Sequence, residues 1–457
     1  MSARSASTRD PYARLVSGAL FPLHERLKGH DTVARRRALE HSQWLDVESL
    51  ERLQAQRLRG FLVQIGRRVP YYRALFARCG FDPERVQGPV DLQRLPLLDK
   101  PIIREQGEAL MAEGTHGLKP FNTGGSSGEP LTFYLSRERV SHDVAAKWRA
   151  TRWWGVDIGD PEIVLWGSPI ELGGQDRIKA LRDRLFRTRL LPAFSMGDEQ
   201  MDAYLKTIAD RRPRMLFGYP SALSLLAERR EKLGAPKVAR DDRVIFCTGE
   251  RLYPAQREQL ERVFGGRVAN GYGSRDAGFI AHECPKGGMH ISAEDIIVEI
   301  ADEAGTPVAP GESGEIVVTH LATGEFPFVR YRTGDIAALS PTPCPCGRGL
   351  PCLTNIEGRT TDFIVAADGT RMHGLALIYV LREQPGIAHF RIEQESRLRT
   401  RVQVVPGDEW REDVKTAVRR GLQQRLGEAV SIEIDVVERI PQERSGKYRY
   451  VVSRVSE

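Results

Sequence analysis

Apolar residues recur at helical spacing between Asp46 and Gly80, at Leu50, Leu53, Leu58, Phe61, Leu62 and Ile65. That spacing predicts a helix with one buried face. The VPYY stretch interrupts it, and Pro70 allows a kink or a new helix start there. Ahead of it, LVSGALFPL reads as an amphipathic helix docked on the body, which makes about residues 11–100 a helical N-terminal region. Met1 to Asp10, polar and rich in Ser and Arg, reads as disordered.

Further on, short apolar runs end in Gly-rich segments: IVLWG from Ile163, RMLFGYP from Arg214, VIFCTGE from Val244 and RVANGYG from Arg267. Helix-like stretches separate most of them. This rhythm predicts an α/β domain of parallel strands whose carboxyl ends carry the ligand. After about Gly287 the pattern becomes IIVEI and GEIVVTHL around a Gly/Pro-rich turn, which predicts an antiparallel or distorted barrel-like subdomain. A boundary near Glu357 precedes strand, helix, strand, strand, helix, strand, with helices at Leu375–Glu383 and Asp413–Leu426. The expected organisation is a large multi-subdomain α/β domain, residues 1–356, and a small mobile α+β domain of split βαβ type, residues 357–457.

A length of 457 residues supports two domains, because single cores stop growing near roughly 250–300 residues. The net charge of +6 is spread along the chain without a dense basic block, so a solvated surface explains it and a nucleic-acid partner is not expected. No run approaches the roughly 18 apolar residues of a membrane span. Six unevenly spaced cysteines do not make a disulfide scaffold; they suit reduced thiols or a metal, and a cytoplasmic address.

Four segments carry candidate chemistry. Thr123, Gly124, Gly125, Ser126, Ser127 and Gly128 could turn backbone amides and hydroxyls toward one anion. No Gly-Lys-Ser/Thr ends this loop and a strand follows it, so taken alone it is equally a flexible surface turn. In Asn270, Gly271, Tyr272, Gly273 and Ser274, glycines beside an aromatic ring let backbone approach a flat ligand, and Asp276 could hold a metal bridging phosphates. An ordinary strand-to-loop turn has the same composition. Asp335, after the tight turn expected in Arg330–Gly334, suits two ribose hydroxyls, or is a surface hairpin carboxylate. Lys447, after Ser-Gly near the chain end, could reach a cleft and neutralise charge on phosphate oxygens, although most such lysines are merely solvated.

In this order the segments resemble the acyl-adenylate-forming superfamily, within it the phenylacetate–coenzyme A ligase and CapK-like group. The resemblance runs over nearly the whole chain through VPYYRALF, TGGSSGEP, GYPSAL, CTGERL, NGYGSRDAGFIAHEC, VRYRTGD, CPCGR, IEGRTTDFIV and SGKYR. It implies an enzyme that uses ATP and magnesium to turn a small carboxylic acid, aromatic or hydrophobic, into an acyl-adenylate. A thiol such as coenzyme A would then take the acyl group; a carrier protein, a hydroxyl or an amine are alternative acceptors. It further implies that Thr123–Gly128 holds the phosphates, that Gly249, Glu250 and Asn270–Gly273 frame adenine, and that Asp335 binds ribose. Arg359 would lie near the nucleotide, Tyr219, Pro220 and Ser221 would line the acyl pocket, and Lys447 would be catalytic. Asp276 stands where the superfamily has glutamate, and Thr361 with Asp362 where it has a hinge aspartate. Those departures leave open a nucleotide-binding scaffold without catalysis.

Cys284, His290, Cys344 and Cys346 form a Cys-x5-His and a Cys-x-Cys pair, with Cys352 as a spare. Three thiols and an imidazole suit a tetrahedral structural zinc; reduced cysteines beside a turn are the alternative.

Overall fold

The computed structural model describes residues 10–122, 131–166, 177–193, 198–234, 241–359, 363–369, 371–373, 375–440 and 450–455. By contacts the chain divides into two compact units, residues 1–333 with 337–356, and 334–336 with 357–457.

The first unit is built on one sheet. Its strands are β1 (Glu162–Leu165), β2 (Thr188–Leu191), β3 (Met215–Gly218), β4 (Val244–Thr248), β5 (Arg267–Ser274), β6 (Gly278–Glu283), β7 (Met289–Ile291), β8 (Ile296–Ala301), β9 (Gly314–His320), β10 (Phe328–Leu339) and β11 (Cys352–Arg359). The order is β8-β9-β10-β11-β7-β6-β5-β4-β3-β1-β2. β1 to β5 are parallel, and the direction first reverses at β6. The segments after Gly287 pair antiparallel, as expected, but among the described residues they extend the parallel sheet and do not form a separate barrel-like one. The reason is local, because β6 and β7 fold back as hairpins on the open edge of β5 and extend its ladder.

Parallel strands are covered on both faces, and their sequences show it. Leu216 and Ile245 pack with Met201, Leu205, Leu223 and Leu260 from helices Asp198–Arg211, Pro220–Lys232 and Pro254–Phe264. Their neighbours Met215, Phe217, Val244 and Phe246 face Ala150 of helix Arg137–Trp153. Helix Val47–Arg68 starts at Asp46, whose carboxylate accepts from the Ser49 amide at 2.7 Å, and buries Leu50, Leu58, Phe61, Leu62 and Ile65. Extended Val69 ends it and Pro70 opens the next helix, Pro70–Cys79. Upstream, Pro11–Leu27 is helical, and Phe21 packs edge-on against Trp148 at 5.0 Å. No described helix is long and apolar enough to cross a membrane.

Arg330 ties three segments of this unit together. It is a buried non-glycine residue at φ +50°. Its guanidinium donates to both Glu299 oxygens at 3.1 Å, to Leu95 O at 2.8 Å and to Gly305 O at 2.7 Å.

The second unit carries strands Ile387–Ser396, Arg399–Pro406, Ser431–Val436 and Val451–Ser453 with helices Leu375–Arg382 and Asp413–Leu426. The two central strands pair antiparallel, and each outer strand pairs parallel to its neighbour. The α+β character is as expected, but the βαβ unit is not split: Arg399–Pro406 and Ser431–Val436 are direct neighbours, and the strands Phe363–Val365 and Arg371–His373 ahead of the first helix pair with each other outside this sheet.

Polar residues are buried within the sheet of the first unit, among them His282 on β6 and His320 at the end of β9. Burial pushes His282 and His320 down to about 3, with nearby arginines adding to the effect. Both rings are neutral when folded but protonate in the unfolded chain below about 6.5. Their contribution is therefore intact above that pH and is lost as pH falls toward 3. Unfolding free energy from urea titrations should drop by up to about 4 kcal/mol between pH 7 and pH 5 for the two together. A flat profile across that window would refute the neutral burial.

Candidate nucleotide site and metal centre

The parallel strands run in the order 2-1-3-4-5, so the topological switch point lies between β1 and β3. Connections leave these two strands in opposite directions, and the crevice at their carboxyl ends is where open α/β sheets take ligands. Trp166 follows β1 and Tyr219 follows β3; their rings stack at 4.2 Å and 21°. Gly249 follows β4 at φ +82°, and a β-carbon there would fall 3.0 Å from the Tyr219 ring and 3.2 Å from Trp166. Glu250 Oε2 accepts from the Ser221 amide at 3.2 Å, at the start of helix Pro220–Lys232, where the helix dipole favours a carboxylate. Tyr219, Pro220, Ser221, Gly249 and Glu250 are thus brought together. Sequence reasoning missed Trp166, although its place at the end of an apolar run was the signal.

The next strand does not end in a turn at Asn270. β5 continues through Gly271, Tyr272 and Gly273 to Ser274, with a register shift between Tyr272 and Gly273. The Asn270 amide donates to Glu283 Oε2 at 2.8 Å. Asp276 lies just past the strand, 5% exposed. Tyr331 Oη donates to its Oδ2 at 2.6 Å, while Ser274 Oγ and the Ala277 amide approach Oδ1. The carboxylate expected to meet a metal is therefore already engaged at both oxygens by protein groups.

Asp335 does not follow a turn. The segment Arg330–Asp335 lies inside β10, because Gly334 absorbs a φ of +77° without interrupting the strand. Asp335 is half-buried and belongs by contacts to the second unit, while Arg359 ends β11. The loop Thr123–Gly128, Thr361, Asp362 and Lys447 lie outside the described residues.

Cys284, His290, Cys344 and Cys346 converge, one donor atom from each within 4.8 Å of the others. Cys284 Sγ lies 3.7 Å from Cys344 Sγ, and Cys346 Sγ lies 3.1 Å from His290 Nε2. Tetrahedral zinc with thiolates at ~2.3 Å sets sulfurs ~3.8 Å apart, so the donor spacing fits. His290 Nδ1 is 3.1 Å from Leu350 O, the outer contact that turns Nε2 toward a metal. Gly288 makes room: a β-carbon there would fall 2.5 Å from Cys344 Sγ. Burial pushes Cys284 up to about 11. Burial also raises Cys346, but hydrogen bonds from Arg348 outweigh it and hold this thiol below its ordinary value. The spare, Cys352, is buried with Sγ 3.4 Å from His290 Nδ1.

Comparison with known proteins agrees with this architecture. The AMP-binding enzyme family model matches residues 188–323, and the CapK C-terminal domain model matches residues 364–454. A phenylacetate-coenzyme A ligase of Thermus thermophilus is 25% identical over 437 residues, 89% of this chain and 96% of the relative. Protein CapK of Staphylococcus aureus is 21% identical over 90% of each chain. In fold, the chain is similar to 2-hydroxyisobutyryl-CoA ligase solved in its postadenylation state, with a TM-score of 0.72, 19% identity, and 90% of this chain and 91% of that one covered. Two family models matched in sequence order, and relatives aligned along most of the chain, support a likeness to the acyl-adenylate-forming superfamily and, within it, to the phenylacetate–coenzyme A ligase and CapK-like group.

Proposed function

We propose that the protein activates a carboxylic acid with ATP, forming an acyl-adenylate and pyrophosphate, and then passes the acyl group to coenzyme A. The observation that carries this reading is the convergence at the switch point of Trp166, Tyr219, Gly249 and the Glu250–Ser221 contact. Half-buried Trp166, backed by the buried Tyr219 ring, offers a flat, apolar wall to an acyl or adenine group. An aromatic or hydrophobic acid suits that wall. The chemistry asks for placement of charge more than covalent help, because the acid's carboxylate attacks the α-phosphorus and pyrophosphate leaves. Magnesium, when bound, screens the phosphate charge. Asp276 would supply the negative charge that holds such an ion near the phosphates, with its oxygens kept in place by Tyr331 and Ser274. Asp335 is proposed for the ribose hydroxyls, Thr123–Gly128 for the phosphates and Lys447 for the reacting oxygens. A cytoplasmic address goes with this reading, since coenzyme A and ATP are supplied there.

ATP–pyrophosphate exchange over a panel of aromatic, branched and short hydroxy acids tests the first step, and acid-dependent loss of free coenzyme A thiol tests the second. Exchange without thiol loss would redirect the search to a carrier protein, hydroxyl or amine acceptor. ATP binding with no exchange for any acid would favour a scaffold.

The cysteine cluster is proposed to hold one structural zinc. Elemental analysis should find about one zinc per chain in protein purified without added metal. Cys346→Ser should lower both the zinc content and the melting temperature. Zinc-free protein of undiminished stability would remove the assignment.

A further inference from the structure

Helix Arg137–Trp153 begins close behind the Gly-rich segment. The chain runs through strand Thr132–Leu135 to Ser136, whose Oγ accepts from the Arg139 amide at 3.1 Å. One turn into the helix, Arg139 is 1% exposed. Its guanidinium donates to Asp276 O and to Arg275 O, each at 3.2 Å, and its Nε donates to both Asp143 oxygens at 3.1 and 3.0 Å. Asp143 also lies 3.5 Å from His142 Nδ1 and 3.9 Å from His320 Nε2. Burial would raise the Asp143 acid, yet Arg139 and the two imidazoles outweigh it and hold the carboxyl well below the usual range. Arg139 is fully buried and Asp143 half-buried beside it.

Such an arginine grips main chain rather than side chain. Two carbonyls of the Arg275–Asp276 turn are fixed by one rigid fork, and a fork is what a guanidinium has and an ammonium lacks. The turn is packed closely as well: a β-carbon at Gly278 would fall 2.9 Å from Arg139 Nη2 and 2.9 Å from His320 Nε2. Tyr272 and Asp276 sit at the two ends of this short stretch, so its backbone sets their separation.

The same helix supplies an internal contrast. Arg149 is equally buried, but its partners are Glu294, Ser292 and Leu39, none of them in the 270–277 stretch.

We propose that Arg139, held by Asp143, is a positioning residue for the magnesium nucleotide: it fixes the turn that presents Tyr272 and Asp276. The inference rests on the adenylation reading above and assigns a device within that site. It predicts that loss of the fork weakens binding of the nucleotide and its metal, whereas loss of an equally buried arginine elsewhere on the helix does not.

Three variants of the full chain test it: Arg139→Lys, Asp143→Asn and Arg149→Lys. Exchange rates are measured against magnesium and ATP concentration with the best acid of the panel, and Mg-ATP binding is followed by calorimetry without acid. Arg139→Lys should raise the magnesium and ATP concentrations for half-maximal exchange, and the calorimetric Kd, by about tenfold or more, with the KM for the acid unchanged. Asp143→Asn should move the same quantities and serves where Arg139→Lys does not fold. Arg149→Lys should lower the melting temperature but leave magnesium and ATP dependence at wild-type values. Wild-type dependence in Arg139→Lys and Asp143→Asn, or an equal shift in Arg149→Lys, would overturn the assignment. If the wild type exchanges with no acid, the adenylation reading has failed, and the calorimetric comparison still decides the role of Arg139.

Discussion

Lys447→Ala is expected to lower the rate of adenylation by about 10²–10³-fold, measured by ATP–pyrophosphate exchange. Negative charge accumulates on the phosphate and carboxylate oxygens as the acyl–phosphate bond forms, and a preorganised ammonium there contributes roughly 2.7–4 kcal/mol in comparable single-donor removals. Thioester formation from a chemically supplied acyl-adenylate should stay near the wild-type rate, because no charge builds at phosphorus in that step. Melting temperature should stay close to wild type if the residue acts through its charge on the reacting oxygens. Equal losses in both steps would give Lys447 a structural or acceptor-binding role, and no loss in either would remove it from the site.

Glu294→Ala should cost about 3–5 kcal/mol of folding free energy, the cost of leaving a buried partner charge unpaired. Arg149 and Glu294 are 1% and 0% exposed at their side chains, with Nη1 and Oε1 2.6 Å apart. The same carboxylate oxygen accepts from Ser42 Oγ at 2.8 Å, which ties helix Thr32–Ser42 to the segment before β8. Truncation strands a guanidinium in a dry interior. Removing both partners as Arg149→Met with Glu294→Leu should recover much of the loss, because an apolar pair of similar volume incurs no desolvation cost. A single-variant loss under 1 kcal/mol in urea titrations would mean that water reaches the pair.

The parallel half of the fold was largely legible because β3 and β4 are short, buried on both faces and read as unbroken apolar runs, whereas the edge strand β2, with Arg189 in it and only half-buried, gave no such signal. The helix starting at Asp413 was equally legible, its buried Val414, Val418, Leu422 and Leu426 recurring every fourth residue. What sequence spacing could not settle was the fate of the strands after Gly287. A hairpin pattern specifies pairing between neighbours, but whether the set closes on itself or joins a larger sheet depends on the free edge of β5, far back in the chain. Glycine misled in the same way. Gly271, Gly273 and Gly334 suggested turns, yet all three lie within strands, where they serve close packing or a local φ. At the candidate site, Tyr219 to Ser221 and Gly249 with Glu250 were found through motif resemblance. Arg139 carried no signal, since a buried arginine on a helix has the same local sequence as a solvated one. Tyr331 was inside a marked motif, but its hydrogen bond spans 55 residues of sequence and only the folded chain reveals it.

Arg330 narrows what its position can become. Glycine would relax the left-handed backbone, a relief of about 1–2 kcal/mol, but would leave Glu299 buried without its cation and two carbonyls without a donor. Lysine would keep the charge, but a single ammonium on a flexible stem does not reproduce a planar fork that meets Glu299, Leu95 and Gly305 at once. Neither replacement is tolerable alone, and Glu299 is bound by the mirror-image constraint. Along lines of descent, the arginine and the glutamate are therefore expected to persist together or to disappear together, leaving a covarying pair in relatives that have diverged around it.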